Sequence, residues 1–256
     1  ASLGTSGVVY THYSFLPSNA QRGIHTFCSA VPGEYHLMGV HQASGLSLKW
    51  FVNNFCEKEK EMAESSGRSV YELTDEIVKS VPIGSNNLLY LPYLMGERTP
   101  HLDPDIRGAF IGLSAIHTKG DLLRAVMEGV VFSLRDSITL FNESGITIDK
   151  VIACGGGSNS PVWRQMIADV FDCEVYLSNS SDMATFGAAI LAMNGVGIHS
   201  DLIGLCRKFI TYKLVNEPIE DNHINYNRIY NVFAQIYDHV KAINKQLQIN
   251  IVTKPD

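Results

Sequence analysis

Apolar residues come first in short runs and later at helical spacing. Residues 3–12, 24–30 and 35–41 are strand-like, and Pro32-Gly33-Glu34 is a hairpin signal between the last two. Residues 14–22 are polar and carry Pro17, which marks a linker. These runs predict an antiparallel three-stranded meander. From residue 43 to 64 the pattern turns helical, with Leu46, Trp50, Phe51 and Phe55 on one face. Gly67 and Pro82 frame a second helical stretch over 70–81. Residues 88–94 are apolar and broken by Pro92, and residues 96–113 are irregular.

Thr118 and Asp121 form a possible capping box ahead of a long helix to Asn142. Leu122, Val126, Val130, Leu134 and Ile138 belong to an apolar set covering most of its circumference, which predicts burial. A strand–turn–helix–strand unit follows: strand 150–154, turn Gly155-Gly156-Gly157, Ser160 as N-cap with Pro161 at the first helical position, helix to Phe171, strand 174–177. Residues 184–193 predict a helix of small residues ending at Gly195, and 225–247 a final amphipathic helix, with fraying after Ile249. Strands, then helices, then alternating β and α describe an α/β layered domain with a mixed sheet.

The chain has 256 residues, 45% of them hydrophobic, which suits a buried core. Its formal net charge of -6 argues against nucleic acid as the main partner. It leaves room for a phosphate ligand, because turns and helix starts bind phosphate without a basic surface. The five cysteines are scattered with no Cys-x-x-Cys pair, as expected of free thiols in a cytoplasmic protein. No apolar span is long enough to predict a membrane helix. The opening residues carry no start methionine and lie inside an apolar run, so the chain reads as the second half of something longer.

Two glycine turns carry the candidate chemistry. Gly4-Thr5-Ser6-Gly7 between strand residues can present turn amides and two hydroxyls to an anion. By itself such a tetrapeptide is more often an ordinary hairpin turn. Gly155-Gly156-Gly157 runs from a strand into a capped helix start, a seat for a nucleotide or a ligand-free βα turn. It lacks the third glycine and the acidic strand end of a dinucleotide fingerprint, which disfavours a dehydrogenase. Glu97, Arg98, His101, Asp103 and Arg107 crowd one irregular loop, and ion pairs pinning that loop are favoured over catalysis. Glu57, Glu59, Glu61 and Glu64 look like a solvated helix face. No histidine or cysteine group has metal-ligand spacing.

Taken in order, SLGTSG (2–7), GERTPHLDPDIRGAFIGL (96–113) with its following helix DLLRAVMEGVVFSLRD (121–136), GGGSNSPVWRQMIADVF (155–171) and DMATFGAAILA (182–192) resemble the FGGY carbohydrate kinases. The resemblance spans residues 1 to 197. GIHTFCSAVPGEYHLMGV (23–40) and LPYLMGERTPHLDP (91–104) look most like the xylulokinase branch. The resemblance implies a ribonuclease-H-like α/β domain of the actin, hexokinase and Hsp70 superfamily, with a mixed sheet and flanking helices. It implies that residues 1–256 are the C-terminal, nucleotide-binding half of a two-domain kinase. An N-terminal domain of the same kinase would be the partner and would hold most of the sugar site.

The parent reaction would be transfer of the γ-phosphoryl group of ATP to a ketose such as xylulose, with Mg as cofactor. Gluconate, ribulose and other family sugars are alternatives, as is a non-catalytic sensor that keeps the fold. By resemblance, Gly4, Thr5 and Ser6 match the β- and γ-phosphate turn, and Gly156, Gly157 and Ser160 the adenosine motif. Gly45, and with it Lys49, match the helix start lining the nucleotide cleft; Ala184, Gly187 and Ala188 match a closely packed helix on the adenine side. Asp182-Met183-Ala184 departs from the family pattern at that edge. The family's catalytic aspartate would lie upstream of Ala1, so no catalytic or metal-binding residue is assigned here. Neither nucleic acid nor a membrane is an expected partner. The isolated chain is expected to self-associate as a homo-oligomer through the face meant for the missing domain.

Overall fold

The computed structural model describes residues 1–14, 23–180, 182–198 and 200–252, so most of the 14–22 linker lies outside the described residues. The opening strand divides at the Gly-Thr-Ser turn into β1 (Ser2–Leu3) and β2 (Gly7–Tyr13), paired antiparallel. β3 (His25–Cys28) and β4 (Tyr35–His41) follow, but not as a meander. β4 lies between β2 and β3, giving the order β1-β2-β4-β3. The reason is burial: β4 carries Leu37, Val40 and His41 into the core, while β3 has no buried residue and takes the edge.

The helix expected over 43–64 is two helices, α1 (Gly45–Phe55) and α2 (Glu57–Ser66). The chain bends at Cys56, which is fully buried. The bend also corrects the reading of α2 as a wholly solvated acidic face, because Glu59 is buried and pairs with Lys119. α3 (Val70–Lys79) starts on a capping box in which Ser69 Oγ accepts from Tyr71 N and Glu72 accepts from Ser69 N. β5 (Leu89–Leu91) and β6 (Ala109–Ile111) form a small antiparallel pair.

α4 (Lys119–Glu143) is the central helix. The Thr118 amide and hydroxyl both donate to Asp121 Oδ2 at 2.7 Å, which fixes its first turn. Of the expected set, Val126, Val130, Leu134 and Ile138 are buried, while Leu122 is half-buried and its neighbour Leu123 takes the core position, because α4 packs against β2, β4, β5, α1 and α5 at once. β7 (Lys150–Ala153), α5 (Pro161–Phe171) and β8 (Glu174–Ser178) make the expected unit, with β7 and β8 parallel. α6 (Met183–Gly195) is as predicted in extent, but only Ile190 of it is buried. α7 (Leu202–Phe209) and β9 (Tyr212–Asn216) occupy a stretch for which the sequence pattern predicts no element. β9 pairs antiparallel with β8 at the sheet edge. α8 (Glu220–Val252) passes the residue where fraying was expected. Its Tyr226 hydroxyl reaches Arg124 at 2.9 Å and Glu128 at 3.0 Å in the core.

One bridge ties the two larger sheets together. Ser2 pairs with Cys154 in parallel, with Leu3 N donating to Cys154 O and Cys154 N to Ala1 O, both at 2.9 Å. β1 therefore lies between β2 and the β7-β8-β9 sheet, and the expected mixed sheet is continuous through it. The chain leaves β1 into Gly4-Thr5-Ser6 and β7 into Gly155-Gly156-Gly157. Both glycine turns thus emerge side by side from the carboxyl ends of neighbouring parallel strands, the edge where open α/β sheets form crevices.

Candidate functional site

A cavity of about 740 Å³ opens at that edge. Its floor begins with Leu3, Gly4 and Thr5 from the first turn. The carbonyls of that turn face α1: Gly45 N donates to Gly4 O at 2.8 Å, while Ser44 N and Leu46 N both donate to Thr5 O at 3.1 Å. Thr5 itself is exposed, so its side chain is available to a ligand. A Cβ on Gly45 would stand 2.5 Å from Gly4 O, which is why the helix can start this close to the turn only with glycine.

Gly45 and Lys49 line the cavity one helical turn apart on α1. Lys49 is exposed and makes no ion pair among the described residues, which leaves a cation free to meet an anion. The other floor comes from Gly156 and Gly157. Gly155 has a φ of 80° and packs its backbone on Leu3, while a Cβ on Gly156 would meet nothing within 4 Å. The glycine-only conformation belongs to Gly155, and the open space to Gly156.

Ser160 caps α5 as predicted: its Oγ accepts from Trp163 N at 3.0 Å and donates to Asp75 Oδ1 at 2.8 Å. Trp163 is buried behind the turn and donates its Nε1 to Met127 O at 3.1 Å. The remaining wall is the first two turns of α3, with Ser69, Tyr71, Glu72 and Asp75. Burial pushes the Asp75 carboxyl above its ordinary value, against the pull of the Ser160 hydrogen bond. The sequence pattern missed this wall. Its only signal was the Ser-x-x-Glu capping box at 69–72, which marks a helix start and nothing about its surroundings.

The predicted site residues thus meet in one place, except Ser6, which is exposed at the turn and outside the cavity lining. Ala184, Gly187 and Ala188 do not line it either, and a Cβ on Gly187 would touch nothing. Among the described residues α6 buries only Ile190, so the close packing expected at Ala184, Gly187 and Ala188 is not seen there. Glu97, Arg98, His101, Asp103 and Arg107 lie away from the cavity and hold their loop, but through hydrogen bonds: among the described residues no ion pair joins any two of them, contrary to the expected ion-pair web. Glu97 is buried, accepts Gln42 N at 3.1 Å and Arg98 N at 2.7 Å, and exchanges backbone hydrogen bonds with Asp103. Arg107 donates to the carbonyls of Pro104 and Ile106, both at 2.8 Å.

The residues fit an elongated, anionic ligand. The lining combines the Thr5 hydroxyl and the Lys49 cation with apolar Leu3, Leu48 and Trp163 and a side-chain-free glycine floor, which suits a ligand carrying both an anionic and a flat group. Among the described residues no group of three or more His, Cys, Asp or Glu side chains could hold a metal ion. No helix among them is long and apolar enough to cross a membrane.

Residues 1–195 match the FGGY family of carbohydrate kinases, C-terminal domain. The chain is similar to a xylulose kinase of Staphylococcus epidermidis, 38% identical over 246 residues, or 96% of this chain and 48% of the relative. It is similar to a gluconokinase of Bacillus subtilis, 33% identical over 92% of this chain and 46% of the relative. The crystal structure of ligand bound xylulose kinase from Lactobacillus acidophilus superposes with a TM-score of 0.81 at 26% identity, over 96% of this chain and 48% of that one. The chain therefore spans about half the length of the relatives it matches. The fold class expected from sequence, α/β of the actin and hexokinase type with mixed sheet and flanking helices, holds.

Proposed function

Since the chain belongs to the FGGY family of carbohydrate kinases, we propose that residues 1–256 act as the nucleotide-binding half of a sugar kinase. The observation that carries this reading is the convergence of the Gly4-Thr5 turn, the Gly45 helix start and the Gly156-Gly157 turn on one cavity. ATP would lie with its β- and γ-phosphates at Gly4 and Thr5 and near Lys49, with Ser6 at the turn's outer edge. Its adenosine would rest on Gly156 and Gly157 toward Ser160. Bound ATP supplies the transferable phosphoryl group. The chain's part is to hold it, screen its charge with turn amides and Lys49, and keep it still, which is most of what phosphoryl transfer asks of a protein.

The acceptor is proposed to be a ketose hydroxyl, as in xylulose, by likeness to the xylulose kinases. Gluconate is the second reading, because a gluconokinase relative stands at 33% identity. The sugar, the base that deprotonates it and the ligands of Mg are assigned to the family's N-terminal domain, the proposed partner. A cytoplasmic location fits the free state of all five cysteines.

The test is titration of the labelled chain with ADP and, separately, NAD. ADP should shift amides at Thr5 and at Gly155 to Ser160, with a Kd in the range of about 0.1 to several mM for half a cleft. Saturating ADP with no shift at either turn, or tighter binding of NAD, overturns the reading.

A further inference from the structure

The Asp75 carboxyl on the cavity wall is only half used. Asp75 is 8% exposed. Its Oδ1 accepts the Ser160 hydroxyl, and the Ser160 oxygen accepts Trp163 N, so both the hydroxyl and the carboxyl are fixed in orientation. Among the described residues Oδ2 accepts no hydrogen bond, and no arginine or lysine pairs with the group. A carboxylate only accepts, so the unfilled position asks for a donor. A donor carried by a ligand in the cavity would fill that position.

A ribose diol binds a carboxylate best through both oxygens, and here the Ser160 hydroxyl already occupies Oδ1. A single donor on the edge of a flat group fits better, since Leu48 and Trp163 give the same cavity apolar walls. We propose that Asp75 selects the base of the nucleotide, with Oδ2 accepting the exocyclic amine of adenine and Ser160 acting as its positioning residue. This rests on the nucleotide reading of the cavity.

The Asp75→Asn variant tests it, because Ser160 keeps donating to the amide oxygen and the amide NH₂ then points at the ligand. Affinities of the chain for ADP, inosine diphosphate and 2′-deoxy-ADP are measured by calorimetry or chemical-shift titration. The unaltered chain should prefer ADP to inosine diphosphate by about tenfold. Asp75→Asn should reverse that preference, because inosine offers a carbonyl where adenine has the amine. 2′-Deoxy-ADP should track ADP in both proteins. Ser160→Ala should narrow the preference and Ser160→Thr restore it. Should Asp75→Asn fail to fold, Asp75→Ala should remove the preference without reversing it.

An ADP to inosine diphosphate ratio that Asp75 variants leave unchanged overturns this inference alone. So does a loss seen with 2′-deoxy-ADP in the unaltered chain and removed by Asp75→Asn, which would place the carboxyl on the ribose. Absence of binding by all three nucleotides overturns the nucleotide reading with it.

Discussion

Gly45 and Gly4 are in direct contact: the Gly45 amide donates to the Gly4 carbonyl at 2.8 Å, and a Cβ on Gly45 would fall 2.5 Å from that oxygen. The first turn of α1 is thereby set against the anion-binding turn with no room for a side chain. Gly45→Ala must push the two apart. We expect it to destabilise the chain by about 1–3 kcal/mol and to weaken ADP binding more than tenfold. Thermal melting and titration separate the two effects, and an alanine that leaves both unchanged would contradict the contact.

Gly156→Val should do the opposite of a structural mutation. A Cβ there meets nothing within 4 Å, and the φ of 80° belongs to Gly155. The melting temperature should hold within a few degrees while ADP binding is lost, because the branched side chain fills ligand space. Gly157→Val should instead unfold the turn, since its Cβ would stand 2.7 Å from that of Leu3. Equal ADP affinity in Gly156→Val and the unaltered chain would remove the turn from the binding site.

Stability should depend on pH through two buried groups that act in opposite directions. Burial lifts the Asp136 carboxyl from 3.8 to about 7, so the folded chain holds a proton that the unfolded chain releases. Its contribution to stability is greatest at low pH and falls as pH rises through 7. Burial pushes His101 down from 6.5 to about 4, so stability falls as pH drops through that window. Asp136→Asn keeps an acceptor for Tyr230, whose hydroxyl donates to Asp136 Oδ1 at 2.7 Å. The variant should be more stable by about 1–3 kcal/mol at pH 8 and no different near pH 4. Denaturant unfolding across that range checks it, and a constant difference would refute the assignment.

Sugar-dependent ATP turnover by this chain alone should stay at background, because the acceptor's site and its base are proposed to lie in the N-terminal domain. Adding the separately expressed N-terminal half of the kinase should restore it. Light scattering over a concentration series should show oligomers of the chain alone giving way to a one-to-one complex. Turnover by the chain unaided would overturn the division of labour.

The sequence made the turns legible and the packing less so. Gly4-Thr5-Ser6 and Gly155-Gly156-Gly157 are readable because glycine and hydroxyl residues carry local conformational meaning at any location. Ser160 and Pro161 announce α5 in the same local way. The Asp75 wall was hidden, since its place beside Ser160 depends on how α3 packs against α5, across 85 residues of chain. Strand order failed for a related reason. His41 pairs Ser133 and Ser137, both at 2.8 Å on α4, and that long-range contact accompanies β4 in the sheet interior, where hairpin spacing alone points to a meander. β9 escaped notice because an edge strand with Tyr212, Lys213 and Leu214 all exposed shows no alternation.

The pairing of Ser2 with Cys154 also governs when the site comes into being. Neither glycine turn has its neighbour until two segments some 150 residues apart have met, which is a large loop to close. The cleft should therefore form late in folding. A nucleotide that binds there selects chains in which the seam is shut, so it should slow hydrogen exchange first at the Leu3 and Cys154 amides, both bonded across that seam.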